Sequence, residues 1–284
     1  MIEPVKHGAE LLREIEESDC GSPNLWWLGQ SGFAIKYRTI IFYIDPYLSE
    51  SLTEKYKDTD RPHVRMTRAP FRGHQVTHAD LILCTHGHSD HLDPGTVPAM
   101  LAASPRAKVV LPRRLAAKAH AAGVSYDRMS TTDSGLRIEF FKDGIYARIY
   151  AVPSAHEHLD WTPLEGYACL GYLIRFGNCT IYHSGDCVPY DGLADRLRPF
   201  NVTVALLPIN GRDPARGVPG NFDIAEAAEL ARQIGARWLV PMHYDMFTFN
   251  TVDVGRFIDY MLFHCPEQRF KVFQCGERWE VPAD

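Results

Sequence analysis

The chain has 284 residues, 45% hydrophobic and 23% charged, an ordinary globular balance with enough length to bury a large core. Its formal charge of −5 provides no overall basic field, so nucleic acid is not favoured as a partner. No run approaches the roughly 18 uninterrupted apolar residues of a membrane span, and the acidic segment Met1–Cys20 lacks the apolar core of a signal peptide.

No membrane partner and a cytoplasmic location are therefore expected. Seven cysteines without a CxxC pair read as free thiols rather than a disulfide framework or a cysteine zinc site.

In chain order, Leu11, Leu12 and Ile15 have helical spacing, so residues 1–22 read as a short helical extension. Leu25–Leu28, Phe33–Tyr37 and Ile40–Ile44 follow at meander spacing, and Asp45-Pro46 ends the third strand. Ser49–Thr77 is polar and aperiodic, an excursion with a helical turn or two that is well placed to cover a site.

Strand Leu81–Cys84 leads into a polar loop and a helix expected to open at Asp93-Pro94. Strand Lys108–Leu111 and a helix over Arg113–Ala122 come next. A second β-rich block covers Arg137–Phe141, Ile145–Val152, Cys169–Phe176 and Thr180–His183. Helices are then expected at Asp191–Leu197, Ile224–Ile234 and Val252–Phe263, alternating with strands at Val202–Leu207, Trp238–Pro241 and Phe270–Phe273. Two β-rich blocks, each followed by helices, fit two face-to-face sheets covered by helices outside. With no repeat or flexible linker, residues 1–284 read as a single α/β domain.

The chemistry is concentrated in Thr85-His86-Gly87-His88-Ser89-Asp90-His91, directly after an apolar strand. Alternation in an extended loop sends His86 and His88 to one side, and a turn at Ser89 can send Asp90 and His91 to a neighbouring position. Neutral imidazole and carboxylate are ligands for Zn²⁺, Mn²⁺ and Fe²⁺. Three isolated candidates each follow a strand-like run: His156, Asp186 and His243.

The His-x-His-x-Asp-His run at 86–91 resembles the hallmark of the metallo-β-lactamase superfamily, and the likeness extends from Trp26-Trp27-Leu28-Gly29 to Pro241-Met242-His243-Tyr244. Within it the chain is most similar to the L-ascorbate-6-phosphate lactonase-like (UlaG-like) branch, through Ile44-Asp45-Pro46, Tyr182-His183-Ser184-Gly185-Asp186 and Asn210-Gly211-Arg212.

The resemblance implies an αββα four-layer sandwich and two divalent metal ions, zinc or manganese with iron as a further option. It implies that His86, His88 and His156 hold one ion, that Asp90, His91 and His243 hold the other, and that Asp186 bridges them. Lactonases of that branch lack a histidine at the place of His156, so the complete ligand set here weakens transfer of their substrate. Oligomers in the branch leave a homo-oligomer open, although no interface can be read.

Around this set, Asp90 is the candidate for orienting a water and carrying a proton, and Tyr244 for donating to a substrate oxyanion. Asn210, Arg212 and Arg216 are candidates for holding an anionic small-molecule substrate, since arginine grips carboxylate or phosphate bidentately. His158 reads as a surface residue, Cys187 as a buried filler, and His183 equally well as a partner of a ligand or a packed strand residue.

The expected activity is metal-dependent hydrolysis of a lactone or ester of a small, anionic, sugar-like molecule. The alternatives are phosphodiester cleavage and iron-dependent redox chemistry.

Overall fold

The computed structural model describes residues 1–19 and 21–283. Its first half runs α1 (Gly8–Glu17), β1 (Asn24–Gly29), β2 (Gly32–Tyr37), β3 (Ile40–Ile44), α2 (Ser51–Tyr56), β4 (Leu81–Leu83), α3 (Val97–Ala103), β5 (Lys108–Pro112), α4 (Ala116–Ala121) and β6 (Met129–Thr132). The second half continues with β7 (Arg137–Lys142), β8 (Ile145–Pro153), the short β9 (Trp161–Thr162) and β10 (Gly166–Tyr167), β11 (Leu170–Phe176) and β12 (Cys179–His183). It ends with α5 (Leu193–Leu197), β13 (Val204–Pro208), α6 (Ile224–Gln233), β14 (Trp238–Met242), α7 (Val254–His264), β15 (Arg269–Phe270) and β16 (Arg278–Glu280).

Two seven-stranded sheets result, in the orders β16-β1-β2-β3-β4-β5-β6 and β15-β14-β13-β12-β11-β8-β7. In each, an antiparallel meander joins a parallel set: β3 to β6 in the first and β12 to β15 in the second.

Side-chain alternation along the strands explains the layering. Leu25, Trp27, Phe33, Ile35, Phe42 and Ile44 point into the large core shared with the second sheet. Their neighbours Trp26, Leu28, Ala34, Ile41 and Tyr43 pack on the other face with Leu11 and Ile15 of α1 and Val97, Met100 and Leu101 of α3. Both faces of the first sheet are thus buried, which requires helices outside; α6 and α7 cover the second sheet through Ala227, Ala231, Phe257 and Met261. The layers are α, β, β, α. No helix among the described residues is long and apolar enough to cross a membrane.

Several element bounds differ from the sequence reading for local reasons. Asp93 does cap the turn at Pro94, its carboxylate accepting from the Gly95 N–H and from the Ser49, Ser51 and Thr96 hydroxyls, but that turn is irregular and the α-helix begins only at Val97. The region after β5 divides into a 3₁₀ turn and α4. Of the expected last strand Phe270–Phe273 only Phe270 pairs, together with Arg269 before it, while β16 closes the first sheet against β1.

The site lies where the parallel strands end. The segments after β3, β4, β12, β13 and β14 emerge at their carboxyl ends, the edge where open α/β sheets place their ligands.

Candidate metal centre

The loop after β4 folds as a turn, with the N–H groups of His91 and Leu92 both donating to the His88 carbonyl. That turn separates two groups of side chains. His86, His88, His156 and Asp186 form one; Asp90, His91 and His243 form the other, and within each group the ligand atoms lie within 4.8 Å of one another.

In the first group, His88 Nδ1 lies 3.1 Å from His86 Nε2 and 3.2 Å from His156 Nε2. His156 Nδ1 is 3.2 Å from the Gly220 carbonyl, a contact that fixes the proton there and turns the Nε2 lone pair into the group. Burial holds the imidazoles of His86 and His88 below the usual histidine range and brings His156 down to about 4, so this group is neutral and ligand-competent at neutral pH.

Asp186 stands between the groups. Its Oδ1 is 3.3 Å from His91 Nε2, while its Oδ2 is 3.3 Å from His243 Nε2 and 3.7 Å from His156 Nε2. Burial alone would raise its pKa, but His243 and His91 hold it well below the usual carboxylate range. The residue before it, Gly185, has a left-handed φ of +61°, and a Cβ there would sit 2.8 Å from Thr85. Glycine therefore lets the Asp186 loop close onto the histidine loop.

Further residues shape the second group. Asp45 Oδ1 accepts from the Thr85 N–H, and its Oδ2 accepts from the Thr85 hydroxyl and faces His91 Nδ1. Gln30 Nε2 donates to Asp90 Oδ2 at 2.9 Å and lies 3.1 Å from His243 Nε2. Gln30, Asp45 and His243 all have positive φ, at 52°, 44° and 67°. Such strain in non-glycine residues persists only where surroundings over-determine it, which is common at functional sites.

The donor set fits divalent cations. Among the described residues, the buried His91 Nε2 and Asp186 Oδ1 form no well-aligned hydrogen bond: they face each other as an ion pair at 3.3 Å. Buried polar atoms are rarely left so. In the first group, one His88 Nδ1 proton cannot satisfy both of its imidazole neighbours, whereas a cation would accept all three lone pairs.

Both groups open on a cleft of about 250 Å³ that Leu52, Tyr56, His63, Lys118, Phe247 and Asn250 also line. The Ser49–Thr77 excursion thus supplies one wall through α2 and His63. A larger cavity of about 550 Å³, beside the end of α1, contains no such ligand group.

The four non-metal candidates are placed elsewhere. Arg212 pairs with Glu226 and donates to the Asn221 carbonyl. Arg216 donates to the Asn210 carbonyl, and Asn210 Nδ2 donates to Asn250 Oδ1. Asn210, Arg212 and Arg216 therefore do not line the cleft; the first and last brace Asn250, which does.

Tyr244 is buried, and its hydroxyl donates to the Phe273 carbonyl at 2.6 Å, so it points away from a substrate oxyanion. These corrections share a cause: the side chains are engaged by neighbours that are distant in sequence or in another element.

Cys187 is buried, its thiol is pushed up to about 11 by burial, and it lies against the Val188 carbonyl as a filler. His183 lies against the Ser31 carbonyl and accepts from the Gly185 N–H, steadying the turn before Asp186. His158 is exposed.

Comparison with known proteins identifies the family. The model of the beta-lactamase superfamily domain matches residues 42–244, and the chain belongs to that family. A UPF0173 metal-dependent hydrolase of Pyrococcus furiosus is 29% identical over 238 residues, 81% of this chain and 88% of that protein.

Among solved structures, the metallo hydrolase Igni18 of Ignicoccus hospitalis superimposes with a TM-score of 0.67 at 20% identity, covering 93% of this chain and 100% of that one. An isothiocyanate hydrolase from Delia radicum gut bacteria gives 0.71 at 20% identity, covering 92% and 100%. At that identity the structures establish the shared fold. The protein is a metal-dependent hydrolase of the metallo-β-lactamase superfamily.

Proposed function

We propose that the protein hydrolyses the acyl bond of a small ester or lactone, as the lactonase-like resemblance implies, with two divalent ions of the zinc or manganese kind at the seven-residue centre. The observation that carries this reading is the position of Asp186 at the floor of the cleft: its Oδ1 faces His91, while its Oδ2 faces both His243 of the same group and His156 of the other.

When bound, two divalent ions supply Lewis acidity that brings the pKa of a water from 15.7 to about 7. The chain's own residues do the rest. Asp90 orients the attacking water and carries a proton to the leaving group, and the Gln30 amide fixes which Asp90 oxygen is free to do so. Asp45 and the Gly220 carbonyl hold His91 and His156 in the orientations that point Nε2 at the centre. The arginines expected to bind the anionic group of a sugar-like substrate lend it no support, because neither Arg212 nor Arg216 lines the cleft.

The test is a panel of lactones, carboxylic esters, thioesters and phosphodiesters assayed with metal-loaded protein. An isothiocyanate joins it because a protein of the same fold is named as its hydrolase. Carboxylic ester or lactone turnover that requires added metal and disappears in Asp90→Ala, which removes a ligand of the second ion together with the water-orienting oxygen, supports the reading. Turnover of phosphodiesters alone, or an Asp90→Ala variant of undiminished activity, contradicts it.

A further inference from the structure

The cleft above the ligand groups has two walls of opposite character, and hydrolysis itself uses neither. One wall is apolar, built from Leu52 and Tyr56 of α2, His63 and Phe247. The Tyr56 and His63 rings stack at 4.2 Å, and His63 meets Phe247 edge-on at 5.1 Å. Buried Tyr47 and Met246 belong to the same apolar cluster, so the wall is preformed. Burial lowers the His63 pKa, which keeps this ring neutral and part of the apolar surface at neutral pH. Lys55 stays with this wall, its ammonium 4.9 Å from the Tyr56 ring centre.

Lys118 of α4 is another lining residue. A Cβ built on Gly87 would lie 3.2 Å from Lys118 Nζ, so the ammonium overhangs the backbone between His86 and His88. Among the described residues Lys118 has no hydrogen-bond or ion-pair partner. A single ammonium is a point charge that can pair with a carboxylate, and neither arginine expected to clamp a phosphate lines the cleft.

We infer that the substrate is an amphiphilic acid: an ester or lactone with an apolar, ring-sized body resting on Tyr56, His63 and Phe247, and a carboxylate separate from the scissile carbonyl paired with Lys118. This rests on the hydrolytic reading above and specifies its substrate class. Lys118 is then a specificity residue, acting on binding and not on the bond that breaks.

The test titrates metal-loaded protein calorimetrically with three product-like acids. Phenylsuccinate carries both features, 3-phenylpropionate lacks the second carboxylate, and succinate lacks the ring. Phenylsuccinate is expected to bind at least about tenfold tighter than either. Lys118→Gln, an exposed substitution, should bring phenylsuccinate to the level of 3-phenylpropionate and leave the latter within about twofold.

Equal binding of phenylsuccinate and 3-phenylpropionate by the native protein, or an advantage that survives in Lys118→Gln, overturns the Lys118 assignment. Equal binding of succinate and phenylsuccinate overturns the apolar wall. The same preparations assayed with the ester panel separate the two readings. This binding pattern without turnover of any ester sinks the hydrolytic reading and keeps only the acid-binding role of Lys118 and the apolar wall, and turnover without the pattern keeps the hydrolytic reading and overturns this substrate class.

Discussion

Asp45 Oδ2 lies 2.6 Å from His91 Nδ1, and both side chains are fully shielded from solvent. The two residues come from the ends of adjacent parallel strands, β3 and β4, so pairing in the first sheet sets the angle of a proposed ligand. Partners of this kind fix the tautomer and basicity of a metal-binding imidazole, and removing one typically costs 10- to 100-fold in affinity. Asp45→Asn should therefore weaken metal binding by about that factor. Competition with a chromogenic chelator measures it, and native affinity in the variant would argue that Asp45 serves only the fold.

The two groups should load with different pH dependence. His156 sits at about 4 through burial, and His86 and His88 are also held low, so the first group has no proton to lose near neutrality. His91 differs. Burial would lower it, but Asp186, Asp45 and Asp90 raise it well above the usual range, so in metal-free protein it carries a proton that a cation must displace. One ion should bind with little pH dependence and the other with release of about one proton, read by calorimetry in buffers of different ionisation enthalpy. Metal binding with no proton release contradicts this.

The same shift has a stability consequence in the metal-free protein. A raised His91 pKa contributes stability that is full below the unfolded value of about 6.5 and is lost as pH rises through the folded value. Asp186, held low, contributes above its unfolded value of about 3.9, and that contribution is lost as pH falls through its folded value. Metal-free protein should thus lose thermal stability on the alkaline side of neutrality. A melting temperature that climbs there would be the contrary outcome.

Gln30→Leu keeps the volume of the side chain but removes the donor that Asp90 Oδ2 accepts from. With the carboxylate free to rotate, kcat should fall about 10- to 100-fold while metal content stays near native. Unchanged kcat would show that Asp90 is positioned by other means.

Two substitutions test the reassigned side chains. Arg212→Ala removes a pair that is substantially exposed, so stability should shift by less than about 1 kcal/mol, with kcat/KM unchanged. Tyr244→Phe deletes a buried donor to the Phe273 carbonyl and should cost about 1–3 kcal/mol of stability, again with native kcat/KM. A large loss of kcat/KM in either variant would return that residue to the site.

Much of this architecture is legible in the sequence, and the reasons are local. Short, nearly continuous apolar runs such as Phe33–Tyr37 and Ile40–Ile44 mark β2 and β3, and the dense ligand run at 86–91 has few other uses. The two-residue strands β9 and β10 carry no comparable apolar signal.

Asp45 and Gln30 were visible as residues but not as parts of the centre. An Asp-Pro step reads as a strand end and Gln30 as a turn residue, and their importance lies in positive φ and in contacts 46 and 60 residues away. Arg212 is a different case. Asp223 and Glu226 form a capping box at the start of α6, a pattern readable in sequence, but only the folded loop brings Arg212 to that glutamate.

The central claim is that seven side chains hold a pair of ions on either side of Asp186. Anomalous diffraction from crystals of metal-loaded protein tests it most directly. Two peaks are expected, one within coordination distance of His86, His88 and His156 and one within that distance of Asp90, His91 and His243, with Asp186 touching both. Absence of anomalous density there, or metal bound only elsewhere on the molecule, would contradict the account.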